Sequence, residues 1–380
     1  MRVMRLILLL SLSTFAVAQP PAPASTPTPW QMQDSGATAG LRGIHSVDGT
    51  VAWASGASGT VLKTIDGGAH WQKCAIPDVA TDGATLDFRG VQAFDAQTAI
   101  VMSSGKGNLS RLYKTTDGCK SWKLILKNRD KDGFWDALYF DRGQWGWLLG
   151  DPVKGQFTLF SSDDKGKTWT RQINKGLQVR TGTQGAFAAS NSSLIALSGF
   201  PVFGSGGSGG AFVFSITETT ICLDDCPPED LNLDGRRDKW IRELVPLGQN
   251  MDSSGVFSIG TRPTNPSGLP IGSNVMVIVG GDYSSPNEAR NTAAYKLSYD
   301  QPWTASAIPP HGFRSAVQWS EALKLWITVG ASGSDVSRDD GKTWQPLDYG
   351  NWNALSLPFV VGPNGRIARL NPAVLPPSTP

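Results

Sequence analysis

Short apolar runs rich in Val, Ile, Leu, Phe and Trp recur from about residue 30 onward, each stopped by Gly, Asp, Asn, Ser or Pro. Helical spacing of apolar residues is almost absent. The pattern predicts many short strands joined by tight turns. Strands at even spacing build sandwiches, barrels or propellers, and a fixed repeat length decides among these.

Such a repeat is present. Thr64-Ile65-Asp66-Gly67-Gly68-Ala69-His70-Trp71 returns as Thr115-Thr116-Asp117-Gly118-Cys119-Lys120-Ser121-Trp122, then as Ser162-Asp163-Asp164-Lys165-Gly166-Lys167-Thr168-Trp169 and Ser337-Arg338-Asp339-Asp340-Gly341-Lys342-Thr343-Trp344. All follow Ser/Thr-x-Asp-x-Gly-x-Thr-Trp, with Cys119 in place of glycine and His70 and Ser121 in place of threonine. This is the Asp box, or BNR repeat, of sialidases and related propellers. Its chemistry is that of a hairpin turn: the aspartate accepts backbone N–H groups, and the glycine adopts a conformation other residues resist. The box aspartates are therefore read as structural.

The first three box tryptophans lie 51 and 47 residues apart, and the fourth follows after 175. That gap asks for two further hairpins, found at Lys239 to Leu244 and Tyr295 to Trp303. Inner strands align as Leu41-Arg42-Gly43-Ile44, Phe88-Arg89-Gly90-Val91, Phe134-Trp135-Asp136-Ala137, Thr183-Gln184-Gly185-Ala186, Ser253-Ser254-Gly255-Val256, Phe313-Arg314-Ser315-Ala316 and Asn351-Trp352-Asn353-Ala354. The seventh set lacks an outer strand, which Trp30 to Gln33 can supply beside Gly365 to Leu370. Closing the ring with strands from both termini removes exposed edges. The expectation is an all-β, seven-bladed propeller of four-stranded antiparallel blades, with six blades as the alternative.

The stretch Gly59-Thr60-Val61-Leu62-Lys63-Thr64-Ile65-Asp66-Gly67-Gly68-Ala69-His70-Trp71 resembles repeats of the photosystem II stability and assembly factor type of propeller. The resemblance spans about residues 30 to 370, with strong boxes in blades one, two, three and six. It implies the propeller fold and leaves the function open, because such propellers host hydrolases and binding proteins alike.

The two ends change the picture of the setting. Arg2 and Arg5, the apolar run Leu6 to Phe15 and Ala16-Val17-Ala18 form an export signal with cleavage expected after Ala18. Residues 19–29 read as a Pro-rich linker, 30–372 as the propeller and 373–380 as a disordered tail. No other apolar run is long enough to span a membrane. A secreted or periplasmic monomer is expected. The formal net charge of +2, with scattered Lys and Arg, argues against a nucleic-acid partner.

Three places could carry chemistry. Asp230, Asn232, Asp234 and Asp238, with the Arg236 carbonyl and Gly235 at the turn, have the oxygen spacing of a structural calcium loop. The alternative is a solvated acidic turn. Just upstream, Cys222 and Cys226 are expected to form a small disulfide, whereas spacing leaves open whether Cys74 and Cys119 pair. The third place is the channel mouth, where the second position of each aligned inner strand gives Arg42, Arg89, Trp135, Gln184, Ser254, Arg314 and Trp352. Arginine forks suit carboxylates, and indoles suit sugar faces. Alternatively the arginines pair with Asp87 and Asp136 and fill the pore.

Two functions follow. One is a non-catalytic scaffold binding a protein segment or an anionic glycan at the mouth. The other is a sialidase-like glycoside hydrolase or a polysaccharide lyase, for which three arginines are available. The sialidase Arg-Ile/Leu-Pro signature is absent, however, and the best Tyr–Glu pair is Tyr283 with Glu288. The binding reading is preferred.

Overall fold

The structure, a computed structural model, describes residues 28–76, 82–172, 175–180, 183–221, 236–248, 250–264 and 274–376. Its strands form seven four-stranded antiparallel sheets, each a blade, in one closed ring. Blade I is β2 (Leu41–Ser46), β3 (Ala52–Gly56), β4 (Thr60–Thr64) and β5 (Gln72–Lys73), and blade II is β6 (Phe88–Ala93) to β9 (Lys123–Lys127). Blade III runs from β10 (Trp135–Asp141) through β11 (Trp145–Val153) to β13 (Thr170–Gln172), and blade IV from β14 (Leu194–Leu197) to β17 (Arg236–Leu244). Blade V holds β18 (Ser254–Pro263), β19 (Asn274–Asp282), β20 (Ala293–Lys296) and β21 (Thr304–Ala305). Blade VI holds β22 (Ala316–Ser320) to β25 (Gln345–Asp348).

Blade VII is built from both ends of the chain. Its inner strands β26 (Ala354–Ser356), β27 (Phe359–Val361) and β28 (Ile367–Leu370) are completed by β1 (Trp30–Gln33), with Trp30 opposite Leu370 and Gln33 opposite Ile367. This is the closure the sequence predicts, and the six-blade alternative falls. Alternate side chains of each strand face the two neighbouring blades, so apolar side chains gather between sheets. The buried clusters follow: one lies at each of the seven blade junctions, from Trp53, Phe88 and Tyr113 between blades I and II to Leu41, Phe359 and Ile367 between VII and I. The core is a ring of sheet-to-sheet seams with no single centre.

The four Asp boxes close the β-hairpins at one end of the ring. In blade III the Asp164 carboxylate accepts from the N–H groups of Lys167 and Thr168 and from two hydroxyls, and Ser162 Oγ takes the Gly166 N–H. The other three boxes repeat the scheme around Asp66, Asp117 and Asp339. Gly68, Gly166 and Gly341 have φ of 87°, 76° and 83°, and Cys119 takes the same left-handed place at 69°. Cys119 is joined to Cys74, Cα to Cα 5.6 Å, which links the outer edges of blades I and II.

Candidate functional site

Strand register places the opposite end of the ring. Leu41 faces Gly56, which faces Thr60, whereas Ser46 faces Ala52, which faces Thr64 and the box. The first residues of the inner strands therefore surround the axis at the end away from the boxes. There β2, β6, β10 and β18 each carry a bulge: pairing skips between Leu41 and Gly43, Phe88 and Gly90, Trp135 and Ala137, and Val256 and Ser258. A bulge re-aims the skipped side chain. The skipped residues are Arg42, Arg89, Asp136 and Phe257, and all four line one cavity of about 580 Å³.

Blades VI and VII follow the same plan. Leu41, Arg314 and Trp352 each donate their N–H to a glycine carbonyl of the preceding blade, Gly362, Gly280 and Gly330. Their successors, Arg42, Ser315 and Asn353, are thus equivalent, and Ser315 and Asn353 also line the cavity. The sequence alignment was three residues out in blade V, where it set Ser254 in the place of Phe257, and one residue out in blades III, VI and VII. It set Trp135, Arg314 and Trp352 against Arg42, when their true partner is Leu41. A slip of one residue exchanges the faces of a strand.

The consequences differ by residue. Trp135 is buried in the seam between blades II and III, edge-on to Phe160 with ring centroids 6.1 Å apart. Arg314 is fully buried: its Nε donates to Asp335 Oδ2 at 2.6 Å and one terminal nitrogen donates to Phe313 O and Ser332 Oγ. Gln184 is buried too, accepting from Arg180 N and donating to Ser205 Oγ. These three stand outside the cavity. Trp352 remains at its wall, with the Arg366 guanidinium 4.3 Å from the ring centroid and its Nε1 donating to Asp348 Oδ2 at 3.1 Å. Of the predicted ring, Arg42, Arg89 and Trp352 come together.

Blade IV departs further. The expected inner strand at Thr183 to Ala186 is not one; Gly185 makes only an isolated bridge to Gly206, and the strand starts at Leu194. The segment Phe187 to Ser192 instead crosses the axis as a plug. Ala188 O accepts from Arg89, Asn191 binds both N–H and C=O of Leu138, Ser190 Oγ donates to Ser315 O, and Ser192 O accepts from Ile259 N. A Cβ on Gly90 would stand 2.7 Å from Asn191 Oδ1, so that inner strand needs its glycine to admit the plug. The cavity is therefore a blind pocket floored by blade IV. Nothing in the hydrophobic pattern marks this; the polar run Ser190-Asn191-Ser192-Ser193 is the one available sign.

The pocket is divided by chemistry. Phe187 and Phe257 stack at 3.9 Å, with Phe313 edge-on to Phe257 at 4.7 Å and Tyr283 at the rim, forming an aromatic wall. Blades I and II contribute the arginines. Arg89 is held by Asp87 at 2.8 Å, half of the pore-filling alternative. Arg42 makes no ion pair among the described residues, and its Nε is buried without an acceptor. Burial, and then the neighbouring Arg89, lowers the affinity of Arg42 for its proton. Blade III contributes two acids. Asp136 is 1% exposed with no partner for Oδ2, and burial with Asp151 nearby pushes its carboxyl well above the ordinary range. Burial raises Asp151 as well, partly offset by the N–H of Ala186 at 3.0 Å.

The remaining candidates lie elsewhere. Asp230, Asn232, Asp234, Cys222 and Cys226 fall outside the described residues. Arg236 begins β17, and Asp238, two positions on, accepts from Thr219 Oγ1 across the hairpin at 2.8 Å. Glu288 turns to Arg290 at 3.1 Å, whereas Tyr283 lies on the pocket rim, so the two do not form a nucleophile pair.

A closed ring of seven blades with a floored pocket at one mouth defines the class: a seven-bladed β-propeller whose candidate site lies on the axis. Solved structures share this fold. YCF48 from Cyanidioschyzon merolae superimposes with a TM-score of 0.56 at 17% identity, over 91% of this chain and 100% of that one. YCF48 bound to D1 peptide does so with a TM-score of 0.52 at 15% identity, over 93% and 99%. A GH74 enzyme of Niastella koreensis reaches only 0.37 at 14% identity, over 86% of this chain and 62% of its own. No family model matches the sequence, and no curated protein does.

Proposed function

We propose that the chain is a non-catalytic propeller that docks an extended, acidic segment of a partner protein in the axial pocket. The observation that carries this is Arg42, a guanidinium with no ion pair among the described residues, at the edge of a cavity walled by aromatic rings. A carboxylate delivered there would gain charge-assisted hydrogen bonds in a partly dry site. The D1 peptide held by YCF48, a propeller of the same fold, supports a peptide as occupant. An anionic glycan is the second ligand of matching charge.

The setting proposed is extracytoplasmic. It rests on the signal-like residues 2–18, and the Cys74–Cys119 bond is in keeping with an oxidising compartment. Calcium between β16 (Phe212–Ile221) and β17 rests on the spacing of Asp230 to Asp238 alone.

Fluorescence anisotropy with acidic peptides tests the docking reading. Arg42→Ala is expected to weaken binding tenfold or more, and raised salt to weaken it in the parent. Turnover of aryl glycosides or sialosides that disappears in Arg42→Ala would replace it with the hydrolase reading.

A further inference from the structure

The two acids of the pocket have no use in docking a purely acidic segment; once ionised they would repel one. Asp136 and Asp151 stand on adjacent strands of blade III, beside residues that face each other, Trp135 and Gly150. Neither makes an ion pair among the described residues. Arg89, the nearest cation on blade II, is already committed to Asp87 and to Ala188 O. Burying an acceptor with no donor costs about 1–3 kcal/mol. A native structure that keeps such a group in a ligand-sized cavity leaves it for something that arrives there.

A metal ion is a poor candidate, because no group of three or more His, Cys, Asp or Glu side chains converges among the described residues. Calcium would want six to eight oxygens. An ammonium or guanidinium needs fewer acceptors and brings its own donors.

The geometry points to a bipolar ligand: a partner segment that places a carboxylate on Arg42 and, a few residues along, a Lys or Arg side chain on Asp136 and Asp151. This rests on the docking reading and deepens it, by turning an acidic segment into one with paired opposite charges. Such a site rejects simple polyanions as well as binding its own ligand, since a carboxyl pair without an ion pair works against them once ionised. Association then carries a proton signature. The empty pair holds a proton above the ordinary carboxylate range, and a bound cation favours the ionised form. Binding therefore releases protons and strengthens as pH rises. The charged and titratable groups facing the pair are Arg42 of blade I, Asp87 and Arg89 of blade II and Tyr283 of blade V.

A peptide array tests this. One Glu and one Lys are walked across a Gly/Ser/Phe background, and each peptide has a twin with norleucine for Lys. On the parent protein the best Glu/Lys peptides are expected to bind at least tenfold tighter than their twins. Asp136→Asn should reduce that preference below threefold while leaving twin binding equal or better, and Arg42→Ala should weaken both. Calorimetry of the best peptide in two buffers of different ionisation enthalpy should show proton release that Asp136→Asn abolishes. If Asp136→Asn does not fold, Asp151→Asn gives the same readings. Twins that bind as well as their Glu/Lys partners, or a preference that survives Asp136→Asn, overturn the bipolar site while leaving acidic docking intact. Loss of all binding across the array overturns docking and this inference together.

Discussion

The aspartates at the two ends of the ring show what the same side chain does in opposite surroundings. At the box end, Asp66, Asp117 and Asp164 are wrapped in N–H and O–H donors, and these hold their carboxyls down at about 2. At the mouth, burial pushes Asp136 up and no donor meets its Oδ2. The arginines divide in the same way: Arg314 is saturated by Asp335, and Arg42 is left open. Saturated charges hold hairpins and seams together. Open charges, tolerated at a cost to stability, are where the proposed partner would fit.

The largest effect that could break this comparison is at Arg314. Arg314→Ala leaves Asp335 buried without its counter-charge and should cost about 3–5 kcal/mol in a denaturant melt. Arg42→Ala should change stability by no more than about 0.5 kcal/mol. Equal losses for the two would erase the distinction.

Next is Asp136. A carboxyl whose folded value is raised binds protons better folded than unfolded, so its contribution to stability falls as pH climbs from about 4 toward the raised value. Asp136→Asn should therefore stabilise the protein at pH 8 by about 1–3 kcal/mol, by removing the penalty of ionising a buried carboxyl, with the gain vanishing near pH 4. A variant less stable than the parent at pH 8 would place Asp136 among the structural acids.

The box acids have the opposite sign. Their depressed values contribute stability above about pH 4 that is lost as pH falls toward 2. Asp339→Ala, in the blade VI box, should cost about 1–2 kcal/mol at neutral pH, and less at pH 2. Thermal melts across pH read both.

The smallest effect concerns a third set of carboxylates. If Asp230 to Asp238 hold calcium, millimolar calcium should add about 1 kcal/mol, as a site of 10⁻⁴ M affinity would. Asp234→Ala should remove the gain, and calorimetry without a calcium signal would end the idea.

The ring itself was legible because its causes are local. Box turns announce hairpins, and the unpaired seventh blade required a strand from the N-terminus. The mouth was legible in blades I and II, where a glycine follows the bulged residue, whereas Gly185 and Gly255 drew the alignment to the wrong place in blades IV and V. Arg42 and Arg89 precede Gly43 and Gly90, and both were placed correctly. In blades III, VI and VII the small residue is alanine, which did not stand out, and the alignment slipped. The triplets Leu41-x-Gly43, Phe88-x-Gly90, Trp135-x-Ala137, Val256-x-Ser258 and Trp352-x-Ala354, large then small, hold the true register. Asp136 was visible only as a candidate partner for arginine. Its isolation depends on Arg89 turning to Asp87 and Ala188, a choice made by tertiary contacts.

The plug formed by Phe187 to Ser192 gives the pocket a dead end. A polypeptide cannot pass through such a ring as a thread passes through a bead; whatever enters must leave by the same side. The element most easily accommodated is a free chain terminus or the tip of a tight loop.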